Sequence, residues 1–409
     1  MDLKNECVDR TMGWWGHEVW DNQRERWLAG NAGGLLGREP VGCGGWVWLD
    51  SAVGGSRRMM LGRDAEEVLV GSDWQRLELA VEERRRQAGW ERGAAVGWVN
   101  YDLSFCFGIF RELEIFVDGG LLAGVGLPRK AGVWRGRFRA TVDRERYCWM
   151  VERAMDYIRA GDIYQVCLAH HFEVEGIGCP LAYYLALRKC SPAPFGAYLD
   201  LGGVQVASAS PELFLRMVGR RIMTRPIKGT RPRMRDGEMD ARMLEELKNS
   251  AKERAELVMI TDLERNDLGQ VCEFGSVEVT GLLEAESFAQ VHHLVSTVEG
   301  RLRGDVSHCG ALRACMPGGS VTGAPKRRAM EIIAELEGRP RRGYTGAVGY
   351  FGFDGTSVFS MAIRTAVFEG QMGSFGTGAG IVADSVPELE WKETLHKASG
   401  LLAAAEIGD

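Results

Sequence analysis

Apolar residues recur along this chain with two different periods, and the switches between them outline its elements. From Tyr147 to Ala160 they fall at helical spacing and stop at Gly161, which predicts a helix. Glu245 to Leu263 is rich in Leu, Glu, Lys and Ala without Pro or Gly, which predicts one long helix. Another begins near Pro325, a residue favoured in a first turn, and runs to Gly338. A last helix is expected from Val386 to Ala405. Strands are predicted at Val204-Gln-Val and from Glu212 to Met217, flanking a turn at Ser210-Pro211. Ala347 to Phe353 leads through Asp354-Gly355, a hairpin signal, into a strand from Val358 to Phe368, and a further strand is expected at Phe375. Helices and antiparallel strands mix without a repeating βαβ rhythm, so the predicted class is α+β. Neither an internal repeat nor a low-complexity linker is visible.

Composition divides the chain near residue 140. Residues 1–140 hold most of the tryptophans, Trp14, Trp15, Trp46 and Trp48 among them, in glycine-broken segments such as Gly42-Cys-Gly-Gly-Trp and Ala95-Val-Gly-Trp that suit short strands. Core and interface packing is the plain reading of those rings. Residues 141–409 carry the stronger periodicity. The chain has 409 residues and a net charge of −6, which excludes a global electrostatic grip on nucleic acid or an anionic membrane. No apolar run is long enough to span a bilayer, and the polar start leads us to expect a cytoplasmic protein. Ten scattered cysteines form no C-x-x-C pair, so free thiols are expected rather than a zinc ribbon or disulfide frame.

Three segments could carry chemistry. Glu253 and Glu256 are spaced i, i+3 on one predicted helix, and Glu390 and Glu393 repeat the spacing on another, with Lys397 one turn further. If the two faces meet, four carboxylates call for a cation, and a hard divalent ion such as Mg²⁺ would serve. The alternative is two solvated faces paired to Lys252, Arg254 or Lys392. Lys228 lies in Arg225-Pro-Ile-Lys-Gly-Thr-Arg-Pro-Arg, where neighbouring cations would lower its pKa and make it a nucleophile or base. The alternative there is an anion-binding or surface loop. Pro317-Gly-Gly-Ser-Val-Thr-Gly-Ala-Pro-Lys fails as a phosphate loop because Ala324 stands where its lysine must be. Gly376-Thr-Gly-Ala-Gly is no dinucleotide fingerprint either. The adjacent pair His170-His171 is a poor chelate, and a structural role is expected for it.

Taken in order, these segments resemble the chorismate-utilising enzymes. The likeness rests on Ala160-Gly-Asp-Ile-Tyr-Gln-Val, Ser208-Ala-Ser-Pro-Glu, Pro226-Ile-Lys-Gly-Thr-Arg-Pro-Arg and the run from Ala255 to Gly269. It continues through Val291-His-His-Leu-Val-Ser, Pro317 to Lys326, Gly346-Ala-Val-Gly-Tyr-Phe, Ala362-Ile-Arg-Thr, Gly378 to Ser385 and Glu390-Trp-Lys-Glu-Thr. The resemblance covers roughly residues 145 to 405. It implies two antiparallel sheets sandwiched together and flanked by helices, in two lobes, with the active site between them.

The resemblance also implies roles. Glu256 and Glu393 would bind Mg²⁺, with Glu253 and Glu390 beside them. Tyr344, Arg364, the Gly378-Ala379-Gly380 backbone and Lys397 would bind substrate carboxylates, while Gly229, Thr230 and Ser320 line the pocket and His293 sits near the ring. Pro-Ile-Lys-Gly-Thr matches the aminodeoxychorismate synthases, where anthranilate synthases carry Ala in place of Lys228. In that branch the lysine adds at C2 of chorismate as the C4 hydroxyl leaves, with Glu212 as general acid. Ammonia then attacks C4, supplied by a separate glutamine amidotransferase subunit, since no glutaminase signature is present. The alternatives are anthranilate synthase, isochorismate or salicylate synthase, and a non-catalytic chorismate-binding subunit. Cys167-Leu-Ala-His-His departs from the family's usual pattern.

Overall fold

A computed structural model describes residues 45–51, 58–117, 134, 136–176, 178–288 and 291–407, so Cys7, Trp14, Trp15 and Cys43 lie outside the described residues. The helices are α1 (Trp74–Arg86), α2 (Arg144–Arg159), α3 (Pro180–Cys190), α4 (Gly237–Asn249), α5 (Ala251–Gly269), α6 (His308–Cys315), α7 (Lys326–Glu337) and α8 (Pro387–Glu406). Two antiparallel sheets stand between them. The first runs in space through Gly323–Ala324, Gln165–Glu175, Met372–Ile381, Thr365–Glu369, Val204–Ser210, Phe195–Leu201, Trp46–Ser51, Arg58–Gly62 and Glu114–Val117. The second runs through Ile227–Pro232, Val291–Arg301, Arg221–Arg225, Leu213–Val218, Thr356–Met361, Ala347–Gly352, Ala94–Val99, Phe105–Phe110 and Glu67–Gly71. The class is α+β, as the mixed periodicity predicts.

Alternation along the strands makes the layers. Val47 and Leu49 point between the sheets with Val96, Trp98, Val348, Tyr350 and Val358, while Trp48 points outward under α3 and α8. The outer face of the second sheet is covered by α1 and α6 through Leu77, Val81, Leu312 and Phe351. A fourth cluster joins α2 and α7 to the first sheet through Met150, Val151, Ile332, Ile333, Leu168 and Ala379. The tryptophans that are described and buried, including Trp48, Trp74, Trp90 and Trp98, are core residues. Strands from both sides of residue 140 pair directly: 46–51 with 195–201, and 94–99 with 347–352.

Three elements differ from their sequence expectation. The helix expected over Glu245 to Leu263 is two helices, α4 and α5, broken at Ser250, whose side chain accepts the Glu253 N–H and caps α5. Val204–Ser210 and Leu213–Val218 do not flank a hairpin turn; the chain leaves one sheet at Ser210-Pro211 and enters the other. The strand expected from Val358 to Phe368 is likewise two strands in different sheets, joined through Ala362-Ile363-Arg364. These two crossings are tied together: Met361 N–H donates to Glu212 O at 3.1 Å, Ala209 N–H to Arg364 O at 3.0 Å, and Ser210 Oγ to Met361 O at 2.7 Å. Arg364 has φ +50°, a strained value for a residue with a Cβ. The double crossing therefore brings Glu212 and Arg364 to one seam between the sheets.

Candidate functional site

A cavity of about 570 Å³ opens at that seam. Every residue expected in the site lines it except Glu390, which is 3% exposed and lies behind the wall. Lys228 reaches the cavity because the 227–232 strand bulges against 291–301 between Lys228 and Thr230. Gly229 occupies the bulge at φ +72°, and a Cβ there would stand 2.2 Å from Glu253 Oε2, so the position requires glycine for conformation and for space.

Lys228 Nζ donates to Glu256 Oε1 at 2.7 Å, and the same oxygen accepts Gln165 Nε2 at 2.7 Å. Burial pulls the lysine pKa down, but the Glu256 carboxylate and other nearby acids more than offset that, and the net shift is upward. Burial alone would raise Glu256, yet Lys228 and Gln165 bring it below the ordinary carboxylate value. This corrects the expectation that neighbouring arginines lower the lysine pKa. Those arginines turn to other acids: Arg225 to Glu286, Arg231 to Glu246 and Glu253, and Arg233 to Asp240.

Glu212 is buried, and its surroundings favour its protonated form. Desolvation raises its pKa to about 7, against the lowering effect of Ser320 Oγ, which donates to Glu212 Oε1 at 2.6 Å, and of Lys228. A carboxyl in that range can hold a proton at neutral pH and release it during reaction. His293 is pushed down to about 4 by burial and is therefore neutral; its Nδ1 lies 2.9 Å from Gly229 O and 3.1 Å from Thr230 Oγ1.

Glu253 and Glu256 of one doublet and Glu393 of the other line the cavity, Glu390 does not, and each of the four is already beside a protein cation. Glu256 meets Lys228, Glu253 meets Arg231 at 3.0 Å, Glu393 meets Lys397 at 2.7 Å, and Glu390 lies 3.8 Å from Lys252. Among the described residues, no group of three or more His, Cys, Asp or Glu side chains converges tightly enough to cage a metal. Glu390 keeps one buried oxygen without a hydrogen-bond partner, and burial raises its pKa.

Opposite these acids the wall is built to take an anion. Among the described residues Arg364 makes no ion pair, and burial lowers its pKa, which marks a guanidinium short of counter-charge. Tyr344 stacks over Gly376, where a Cβ would stand 2.2 Å from the ring. At Gly378 a Cβ would come 2.5 Å from Leu168 O, and at Gly380 one would come 2.8 Å from Glu256 Oε1, so both glycines keep the floor open. Lys397 Nζ donates to Gly378 O at 3.1 Å.

Sequence reasoning missed Arg341. This buried guanidinium binds Glu337, Val321 O, Thr345 Oγ1 and Cys167 O, and packs over Tyr101 and Tyr344. The i, i+4 spacing of Glu337 and Arg341 was its one local signal. Gln165 and Cys167, both quoted within motifs, also reach the site, Gln165 through Glu256 and Cys167 on the cavity wall. His170 is structural: it stacks on Trp391 and bonds Thr394 Oγ1. His171 is buried edge-on against Tyr344, and burial lowers both histidines to about 4.

Comparison with known proteins points the same way. The chain is 49% identical over 284 residues to anthranilate synthase component 1 of Thermus thermophilus, covering 69% of this chain and 62% of that protein. It is 49% identical over 260 residues to an aminodeoxychorismate synthase of Streptomyces pristinaespiralis, covering 63% of this chain and 36% of the other. The chain thus spans less than two thirds of these curated relatives' length. In structure it resembles anthranilate synthase component I from Streptococcus pneumoniae, with TM-score 0.71, 26% identity, and coverage of 98% of this chain and 100% of that one. The menaquinone-specific isochorismate synthase of Escherichia coli shares the fold at TM-score 0.73 and 19% identity, covering 88% of each chain. The model of the chorismate binding enzyme family matches residues 126–403, and the chain belongs to that family.

Proposed function

We propose that this chain is the synthase component that converts chorismate and ammonia to 4-amino-4-deoxychorismate. The observation that carries this reading is Lys228, an amine at the cavity wall close enough to the buried Glu212 carboxyl for its charge to be felt there. Relatives bearing both the anthranilate and the aminodeoxychorismate synthase names are equally close in identity, so family likeness alone does not choose. Lys228 supports the aminodeoxychorismate reading.

In this reading the neutral Lys228 amine forms a bond to C2 of the ring. The two ring double bonds shift toward C4, and the C4–O bond breaks as Glu212 gives its proton to the departing hydroxyl. Ammonia then forms the C4–N bond, the double bonds shift back, and the C2–N bond to Lys228 breaks. Nitrogen is left para to the ring carboxylate. Lys228 must first lose both its proton and its Glu256 partner. Arg364, Tyr344 and Lys397 would hold the substrate carboxylates, and His293 would stand neutral beside the ring.

Mg²⁺ fits the residues lining the mouth: Glu253, Glu256 and Glu393 are hard oxygen donors, and this ion is commonly held by one or two carboxylates, with water and substrate completing its shell. Glu256 and Glu393 would hold it, with Glu253 and Glu390 beside them. When bound, it would supply positive charge to the ring carboxylate. Ammonia would be supplied by a glutamine amidotransferase subunit.

The test is a covalent one. Enzyme is incubated with chorismate and Mg²⁺ without ammonia, quenched, digested and examined by mass spectrometry. The reading predicts an adduct of chorismate less water on the peptide bearing Lys228. An unmodified peptide in an enzyme that goes on to release product would overturn it.

A further inference from the structure

Two side chains share one oxygen of Glu256, and the reading above uses only one of them. Lys228 Nζ and Gln165 Nε2 each donate to Glu256 Oε1 at 2.7 Å. Gln165 is 0% exposed and opens the strand Gln165–Glu175. Alternation puts it on the face of Cys167, which lines the cavity, while Val166 and Leu168 pack with α2 and α7. Chemistry fixes how its amide is turned, because a carboxylate oxygen only accepts and must meet the NH₂ group. Among the described residues its amide oxygen is left buried without a hydrogen-bond partner. An apolar side chain would avoid the cost of burying that oxygen, so what the glutamine adds here is its donor.

Gln165 is held from both sides, whereas Lys228 and Glu256 are partly open to the cavity. On one side runs the glycine-rich turn 317–326. Tyr164 N–H donates to Ala324 O at 2.8 Å and Cys167 N–H to Thr322 O at 2.7 Å, which pins the backbone around Gln165. Gly323 has φ +152°, and a Cβ there would stand 2.2 Å from Gln165 O. On the other side passes the strand Met372–Ile381, where a Cβ at Gly380 would stand 2.5 Å from Gln165 Nε2. The amide thus reaches Glu256 over a position with no side chain. A charged lysine that leaves for the substrate draws the carboxylate after it, and a glutamate on α5 has rotamers with which to follow. The Gln165 hydrogen bond opposes that motion.

We propose that Gln165 is a positioning residue: it anchors Glu256 Oε1 as Lys228 departs, so that the carboxylate stays behind as a ready-placed ligand for a divalent cation. That role rests on the reading of Glu256 as a Mg²⁺ ligand.

Gln165→Met keeps length and bulk and removes the donor. Mg²⁺ is titrated calorimetrically, without substrate, into Lys228→Met and into the same variant carrying Gln165→Met as well. In the first, Gln165 alone holds Glu256. The double variant is expected to bind Mg²⁺ about tenfold or more weakly, the size of one charged hydrogen bond, with a Tm within a few degrees. With Lys228 intact, Gln165→Met should raise by a similar factor the Mg²⁺ concentration that gives half-maximal chorismate consumption, and saturating Mg²⁺ should restore most of kcat. Equal Mg²⁺ affinity in the two Lys228→Met proteins overturns the anchoring role alone. A rate loss that saturating Mg²⁺ leaves in place also overturns it, because it marks a structural effect. Should Gln165→Met not fold, the crystal structure of Lys228→Met decides. Glu256 must then remain within hydrogen-bond distance of Gln165 Nε2, and a carboxylate turned away overturns the role. Lys228→Met that binds no Mg²⁺ overturns the metal reading and the anchoring role together. None of these results depends on which product the enzyme releases.

Discussion

Lys228 Nζ and Glu256 Oε1 lie 2.7 Å apart, so the amine proposed to attack the ring and the carboxylate proposed to hold the metal neutralise each other. While that pair stands, Lys228 is protonated and inert, and Glu256 is not free for another cation. The two proposed roles are mutually exclusive at rest and become available together when the pair opens.

Removing the amine should therefore favour the metal. Lys228→Met is expected to bind Mg²⁺ at least about tenfold more tightly than wild type without substrate, because a carboxylate in a partly buried site loses its internal counter-ion. Calorimetric titration measures this. Product formation by the same variant should fall by roughly three orders of magnitude or more.

Glu212 makes both rate and stability depend on pH. Its folded-state pKa is raised from 4.5 to about 7, so the acid form is present below pH 7 and lost above it. At a fixed concentration of free ammonia, turnover should fall as pH rises through about 7, and Glu212→Gln should remove most of the rate. The folded chain binds this proton more tightly than the unfolded one, so its stabilising contribution is complete below about pH 4.5 and lost as pH rises through 7. Glu212→Gln should accordingly melt at a higher temperature than wild type at pH 8, with the gap closing as pH falls.

Gly380→Ala should separate binding from folding. The new Cβ would stand 2.5 Å from Gln165 Nε2 and 2.8 Å from Glu256 Oε1, displacing side chains rather than core backbone. The expected outcome is a tenfold or greater loss of affinity for chorismate with Mg²⁺, and a Tm within a few degrees of wild type, measured by calorimetry and thermal melting.

Arg341 should matter mainly to stability. Arg341→Met leaves the buried Glu337 carboxylate unpaired and frees the carbonyls of Cys167 and Val321, so a loss of about 3–5 kcal/mol is expected from denaturant titration.

Much of this was legible along the chain, and what was not had a common cause. The helix ending at Gly338 and the hairpin at Asp354-Gly355 follow from local residue choices, and both are present. The break at Ser250 was masked by helix-favouring composition on both sides, although Ser250 with Glu253 three residues later is a capping signal. The passage from 356–361 to 365–369 lies within an apolar run, and alternation reports which residues are buried without saying in which sheet. Lys228 was misjudged for the same reason. Its neighbours in sequence are arginines, but Arg225 and Arg233 find acids at Glu286 and Asp240, and Lys228 finds Glu256, all supplied by other elements. Motif order located the site; only the fold sets its charge balance.

The most direct test is the identity of the product. Purified chain is supplied with chorismate, Mg²⁺ and ammonium at pH 7, and the mixture is resolved by chromatography and mass spectrometry, with added lyase converting any 4-amino-4-deoxychorismate to 4-aminobenzoate. The account predicts 4-aminobenzoate in the presence of lyase and its loss in Lys228→Ala. Anthranilate as the product, or turnover that survives the loss of Lys228, would contradict it.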